Sequence, residues 1–125
     1  MFSNSKLVAF AATADPIKAR RFYESVLGLQ LVSENPFAIV FDANGVTLRI
    51  QIVQLLTVSN YTTLGWEVDH VENMAENLST VGVSLERFPG MEHDSLGIWT
   101  SPDGSKIGWF KDPDGNLISI SQRQS

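Results

Sequence analysis

The 125-residue chain contains no cysteine. Disulfides, thiolate metal centres and a cysteine nucleophile are therefore excluded. No apolar run approaches the roughly 20 residues that span a bilayer, and the first residues, Met1 to Lys6, lack the basic start and apolar stretch of a secretory signal. A cytoplasmic location, with no membrane partner, is expected. Only nine Lys and Arg residues stand against fourteen Asp and Glu, for a net charge of −5. They are scattered along the chain, so the clustered basic face that binds phosphate backbones is missing and no nucleic-acid role is expected. There is no Gly-rich phosphate loop, and neither of the two histidines has a Ser partner in a recognisable nucleophilic arrangement. Low-complexity segments and long linkers are absent too, so the length fits one domain with a core of its own.

What the chain does contain is an internal echo. Residues 15–28 and 69–82 each begin with Asp and end with Gly, 54 positions apart. Asp15 and Asp69 are placed to accept the free N–H groups of a first helical turn, and Gly28 and Gly82 allow a left-handed exit. Pro16 suits the first turn of one helix, and Glu72, three residues after Asp69, makes a capping box in the other. Ala19, Phe22, Tyr23, Val26 and Leu27 form the inward stripe of a helix over 15–27; Val71, Met74, Ala75, Leu78 and Val81 form that of a helix over 70–81. Strands are expected at 6–12, 29–33, 37–41 and 46–53, and again at 61–68, 84–87, 97–100, 106–111 and 116–121. Turn sequences stand at 42–45, 101–104 and 112–115. The expected fold is α+β: two tandem βαβββ modules, about 1–56 and 57–125, in a single domain with a cleft between similar halves.

Phe22-Tyr23-Glu24-Ser25-Val26-Leu27-Gly28 and, near the end, Trp109-Phe110-Lys111-Asp112-Pro113-Asp114-Gly115-Asn116-Leu117 resemble the vicinal oxygen chelate superfamily. That family includes glyoxalase I, bleomycin resistance proteins and extradiol dioxygenases, and the likeness covers nearly the whole chain. It implies two modules whose sheets form a cupped cavity with helices outside, usually completed in a homodimer. In the metal-dependent members, His, Glu or Gln side chains from the first and last strands of each module hold a divalent ion. Carried onto this chain, those positions fall on Val8, Arg49, Thr63 and Ser119. None is a suitable ligand. Among their neighbours only Gln51 is a conceivable ligand, and one amide does not hold a transition metal, so no metal and no other cofactor is expected.

The residues expected to line the cavity are then of a different kind. Side chains two apart share a strand face, which groups Arg49 with Gln51, Thr63 with Glu67, and Ser119 with Ser121, with Phe10 beside them. Arg49 can stand in for the lost cation and meet an anionic or carbonyl oxygen, with Glu67 balancing it or meeting a ligand amine. Alternatively, Arg49 and Glu67 form a structural ion pair. Trp99 and Trp109, with Phe37, can build an aromatic wall for a flat or cationic ligand, or can simply pack; Trp66 has the opposite strand parity to Glu67. His93, in a polar loop, and Glu67 are the candidate acid-base groups. The pattern implies a small-molecule binding protein that sequesters or senses an organic ligand as a homodimer. The competing classes are a lyase or isomerase with an atypical or metal-independent site, a dioxygenase-related enzyme, and a subunit that uses the fold only to bind a partner.

Overall fold

The computed structural model describes residues 1–123. The chain divides into two compact units, one of Met1–Val58 with Pro113–Asn116, the other of Ser59–Asp112 with the residues from Leu117 onward. In the first unit, β1 (Val8–Thr13), α1 (Pro16–Arg21), β2 (Gln30–Glu34), β3 (Ala38–Ala43) and β4 (Val46–Ile52) follow in order. The second unit repeats it with β5 (Leu64–Glu67), α2 (Val71–Thr80), β6 (Trp99–Thr100), β7 (Lys106–Lys111) and β8 (Leu117–Gln122). The strands form two four-stranded mixed sheets, ordered β1-β4-β3-β2 and β5-β8-β7-β6. In each, the first strand pairs parallel with the last, and the other neighbours are antiparallel. This is the α+β arrangement of two βαβββ modules. None of the helices among the described residues is long and apolar enough to cross a membrane.

Period-two alternation decides what each sheet buries. In β4, Leu48 and Ile50 are buried while Arg49 and Gln51, alternating with them, are exposed. Ile39 and Phe41 of β3 join Leu48 and Ile50, all at most 1% exposed, and Tyr23 lies over Phe41 with ring centroids 6.0 Å apart. The second core is built likewise: Val71, Ala75 and Leu78 of α2 are buried along with Phe110, Ile118 and Ile120. Each large apolar side chain so covered contributes about 1.5–3 kcal/mol. The faces opposite carry no helix of their own unit.

Local signals hold in the first unit. Asp15 accepts from the Lys18 N–H at 3.2 Å, and the Thr13 hydroxyl, fully buried, accepts the N–H of Asp15. Ala43 pairs with Val46 across a two-residue loop in which Asn44 and Gly45 both adopt positive φ, the geometry a tight hairpin requires. The helix expected over 15–27, however, changes character: beyond Arg21 it widens into a π turn, Phe22–Val26, marked by the Leu27 N–H donating to the Phe22 carbonyl. Phe22 and Tyr23 are both buried, edge to face at 5.4 Å.

Two further expectations are corrected in the second unit. The capping box of Asp69 and Glu72 does not form. The helix begins at Val71 with His70 in the cap position and no cap from that side chain; the Val71 N–H instead donates to the Gln122 amide oxygen at 2.8 Å, from β8. Glu72 pairs with Lys106 of β7 at 2.7 Å, and that hydrogen bond holds the Glu72 carboxyl below its usual range. The strand expected at 84–87 does not form as a strand of the sheet, although the Glu86 N–H donates to the Trp109 carbonyl. Leu85 plugs against the sheet instead: a Cβ on Gly97 or Gly108 would meet it at 2.9 or 2.7 Å. The carboxylates of 101–104 serve their turn. Asp103 accepts from the Ser101 hydroxyl and from the Ser105 N–H, and the Ser101 bond above all lowers its carboxyl to about 2.

The cap assignment is testable by urea denaturation. Gln122→Ala is expected to cost about 1 kcal/mol, the value of a lost helix cap, while Asp69→Ala stays within about 0.5 kcal/mol of the parent. The reverse order would restore Asp69 as the cap.

Candidate functional site

The uncovered face of the first sheet is set by its register. Phe10 of β1, Arg49 of β4 and Val40 of β3 stand in one row; Ala12, Gln51 and Ala38 form the next. The Arg49 guanidinium lies 5.7 Å from the centroid of the Phe10 ring, a cation-π contact. Among the described residues no carboxylate lies within salt-bridge distance of Arg49. Three of the expected residues, Phe10, Arg49 and Gln51, are thus brought together. Phe37 is not with them: it lies in the bend before β3, 80% exposed.

The uncovered face of the second sheet is aromatic and hydroxylic. One row holds Glu67, Ser121, Ile107 and Trp99, and the next holds Gly65, Ser119 and Trp109. Trp99 and Trp109 are therefore diagonal neighbours, with centroids 6.2 Å apart and planes tilted by 40°. The Trp109 indole N–H donates to the Thr62 hydroxyl at 3.1 Å, and Phe88 meets the Trp109 ring edge to face at 5.5 Å. The Ser119 hydroxyl leans over Gly65, where a Cβ would come within 2.6 Å of it. Glu67 lies 3.4 Å from Arg123, both well exposed, a pair that solvent screens to little net worth. Thr63 precedes β5, and its hydroxyl and N–H both donate to the Leu117 carbonyl. Trp66, of opposite parity, shares a row with Ile120 and is half-buried.

His93 holds the loop that carries Phe88. Its Nε2 accepts the Phe88 N–H at 3.0 Å, and its Nδ1 lies 2.8 Å from the Gly97 carbonyl, which only an N–H donor satisfies. The two contacts together define one neutral tautomer, with both nitrogens engaged. Asp94 braces the same loop, accepting from the N–H groups of Leu96 and Ile98 at 2.9 Å each. Neither Phe88 nor the contact of Thr62 with Trp109 is marked by a motif in the sequence. The one available signal was an aromatic residue immediately before the turn-forming Pro89-Gly90.

Residues 7–120 match the model of the Glyoxalase/Bleomycin resistance protein/Dioxygenase superfamily. The chain belongs to that superfamily. Among solved structures it is similar to a lactoylglutathione lyase from Agrobacterium tumefaciens, with 18% identity, a TM-score of 0.75, and 96% of this chain and 95% of that one covered. It is also similar to a glyoxalase/bleomycin resistance protein/dioxygenase from Alicyclobacillus acidocaldarius (19% identity, TM-score 0.73, 98% and 93% covered). A third relative is a glyoxalase-related enzyme from Fulvimarina pelagi (22% identity, TM-score 0.71, 95% and 88% covered). At such identities the likeness establishes the fold alone.

The divalent ion implied for the superfamily's metal-dependent members was tested against the donors present. Among the described residues no group of three His, Asp or Glu side chains could hold a metal ion. Val8 has no donor atom, Arg49 is a cation, and the Thr63 hydroxyl is committed to a backbone carbonyl. Ser119 offers a neutral hydroxyl. These residues do not fit a divalent ion.

Replacing His93 tests the loop lock in this superfamily member. His93→Ala leaves the Phe88 N–H and the Gly97 carbonyl without partners, an expected loss of about 1–3 kcal/mol. It should also shift the tryptophan emission, because Phe88 no longer braces Trp109. Unchanged stability and emission would dismiss the lock.

Proposed function

We propose that this protein binds a small organic molecule without a metal, sequestering or sensing it rather than transforming it. The observation that carries the proposal is the Trp99–Trp109 pair on the helix-free face of the second sheet. Trp109 is braced by Thr62 and Phe88, so little ordering cost remains when a flat ligand stacks on it. A well-placed aromatic pair adds about 0.5–1.5 kcal/mol beyond the area it buries. The hydroxyls of Ser119 and Ser121 and the Glu67 carboxylate lie in the same two rows and give such a ligand hydrogen-bond partners.

Sequestration needs only equilibrium affinity, and the absence of a fitting donor set costs it nothing. Catalysis would ask more of the acid-base candidates. His93 has both ring nitrogens engaged within its own loop, and Glu67 lies beside Arg123 in an exposed, water-screened position. Neither arrangement favours proton transfer. We further propose a cytoplasmic homodimer, for which exposed apolar side chains such as Phe37 and Val32 supply surface.

A thermal-shift screen of metabolites, cationic drugs and divalent metals tests the proposal, since a ligand selective for the native state must raise the melting temperature. At 100 times its Kd, such a ligand adds about 2.7 kcal/mol, worth roughly 10 °C or more for a domain near this size. Organic compounds are expected to produce such shifts and Trp109→Ala to weaken them at least about tenfold in affinity. Shifts from metal ions alone, or organic shifts indifferent to Trp109, would contradict it.

A further inference from the structure

The first sheet displays a charge on its helix-free face that the described side chains leave unneutralised. Lys106 and Lys111, the other cations on strands among the described residues, each have a carboxylate within 4.0 Å. Arg49 has none among the described residues, although it stands mid-strand with a neighbour on each side. Those neighbours are Phe10 and Val40, one aromatic and one aliphatic. The Phe10 ring, 5.7 Å from the guanidinium carbon, steadies the cation without neutralising it. Two residues on, Gln51 shares the face, and the side chains flanking it in register, Ala12 and Ala38, are too short to cover its amide.

We infer that Arg49, Gln51 and Phe10 form a recognition site for the carboxylate of a small organic acid with an apolar body. The inference rests on the reading that the helix-free faces receive an organic molecule, and it names the chemical class that this face takes. The fork of a guanidinium matches the two oxygens of a carboxylate through parallel N–H donors. The Gln51 amide adds a further donor at the spacing of one strand repeat. Phe10 and Val40 supply apolar surface on both sides, so the acid's hydrocarbon body can lie along the row while its charge meets Arg49. A phosphate dianion fits less well. One cation serves the face, and Asp42, in the row of Val8 and Thr47, places a carboxylate beyond it. Asp42 is occupied with the Gly45 N–H of the hairpin turn and does not reach Arg49. The net charge of −5 does not forbid a monoanion, because repulsion from distant charges is screened beyond about 8 Å at physiological ionic strength.

Benzoate is the probe, with benzylamine and inorganic phosphate as comparison arms, followed by NMR at the Arg49 Nε–H and the Gln51 side-chain amide. Benzoate is expected to shift both resonances saturably, benzylamine neither, and phosphate far less. Arg49→Gln should weaken benzoate about 10- to 100-fold, the range for losing a charged, paired hydrogen bond. Arg49→Lys keeps the charge but not the fork and should recover only part of that loss. All three groups are on the surface, and amide spectra report whether each variant stays folded. Benzoate affinity equal in the parent and in Arg49→Gln would overturn the site, as would phosphate or chloride matching benzoate at the same resonances. Trp109→Ala is expected to leave the Arg49 shift in place, so the two readings fail separately. Trp109-dependent ligand binding without a benzoate response at Arg49 would sink this site alone.

Discussion

Each four-stranded sheet has a single helix of its own unit to cover it, and a sheet has two faces. Strand alternation then forces a division: every second side chain packs under the helix, and every other one projects from the opposite face. Leu48 and Ile50 go one way, Arg49 and Gln51 the other. Phe110, Ile118 and Ile120 are buried, while Trp109 and Ser119 stand in the alternate positions. A slip of one residue in β4 would bury an arginine and expose two fully buried core residues, so the register is held by hydrophobic burial. The helix-free faces carry the polar and aromatic side chains that alternation leaves out of the cores.

The two units use those faces differently. The first presents a cation steadied on an aromatic ring, the second a tilted tryptophan pair with hydroxyls in the adjoining row. Residues outside the sheets prepare the second face. His93 ties the Phe88 N–H to the Gly97 carbonyl, and Phe88 and Thr62 fix Trp109. The loop thus serves as a brace for an aromatic surface, with His93 as its tie.

Signals that act over a few residues were legible in the sequence. Asp15 caps α1, Asn44 and Gly45 form the hairpin loop, and strand parity put Arg49 and Gln51 on one face and separated Trp66 from Glu67. What escaped depends on partners far along the chain. Asp69 was the local choice of cap, but Gln122, 51 residues after Val71, reaches the helix N-terminus from β8. The segment 84–87 has a strand's composition, yet Leu85 finds its place against two glycines and not in a ladder. The π turn at Phe22–Val26 has no propensity signature, since it answers to the packing of Phe22 and Tyr23. Phe37 lies just ahead of β3, which starts one residue later than its apolar run suggests. The family resemblance, by contrast, rests on short motifs at both ends and was legible throughout.

The central proposal is that this member of the superfamily meets its ligand with side chains and without a metal. The positions on which the family resemblance puts metal ligands, Val8, Arg49, Thr63 and Ser119, present a hydrocarbon, a cation and two hydroxyls, and a transition metal asks for imidazole and carboxylate. Elemental analysis of the purified protein, after expression in medium supplemented with Ni, Zn, Mn and Fe, tests this most directly. The account predicts metal far below one equivalent per chain. One equivalent of any of these ions, retained through gel filtration, would contradict it.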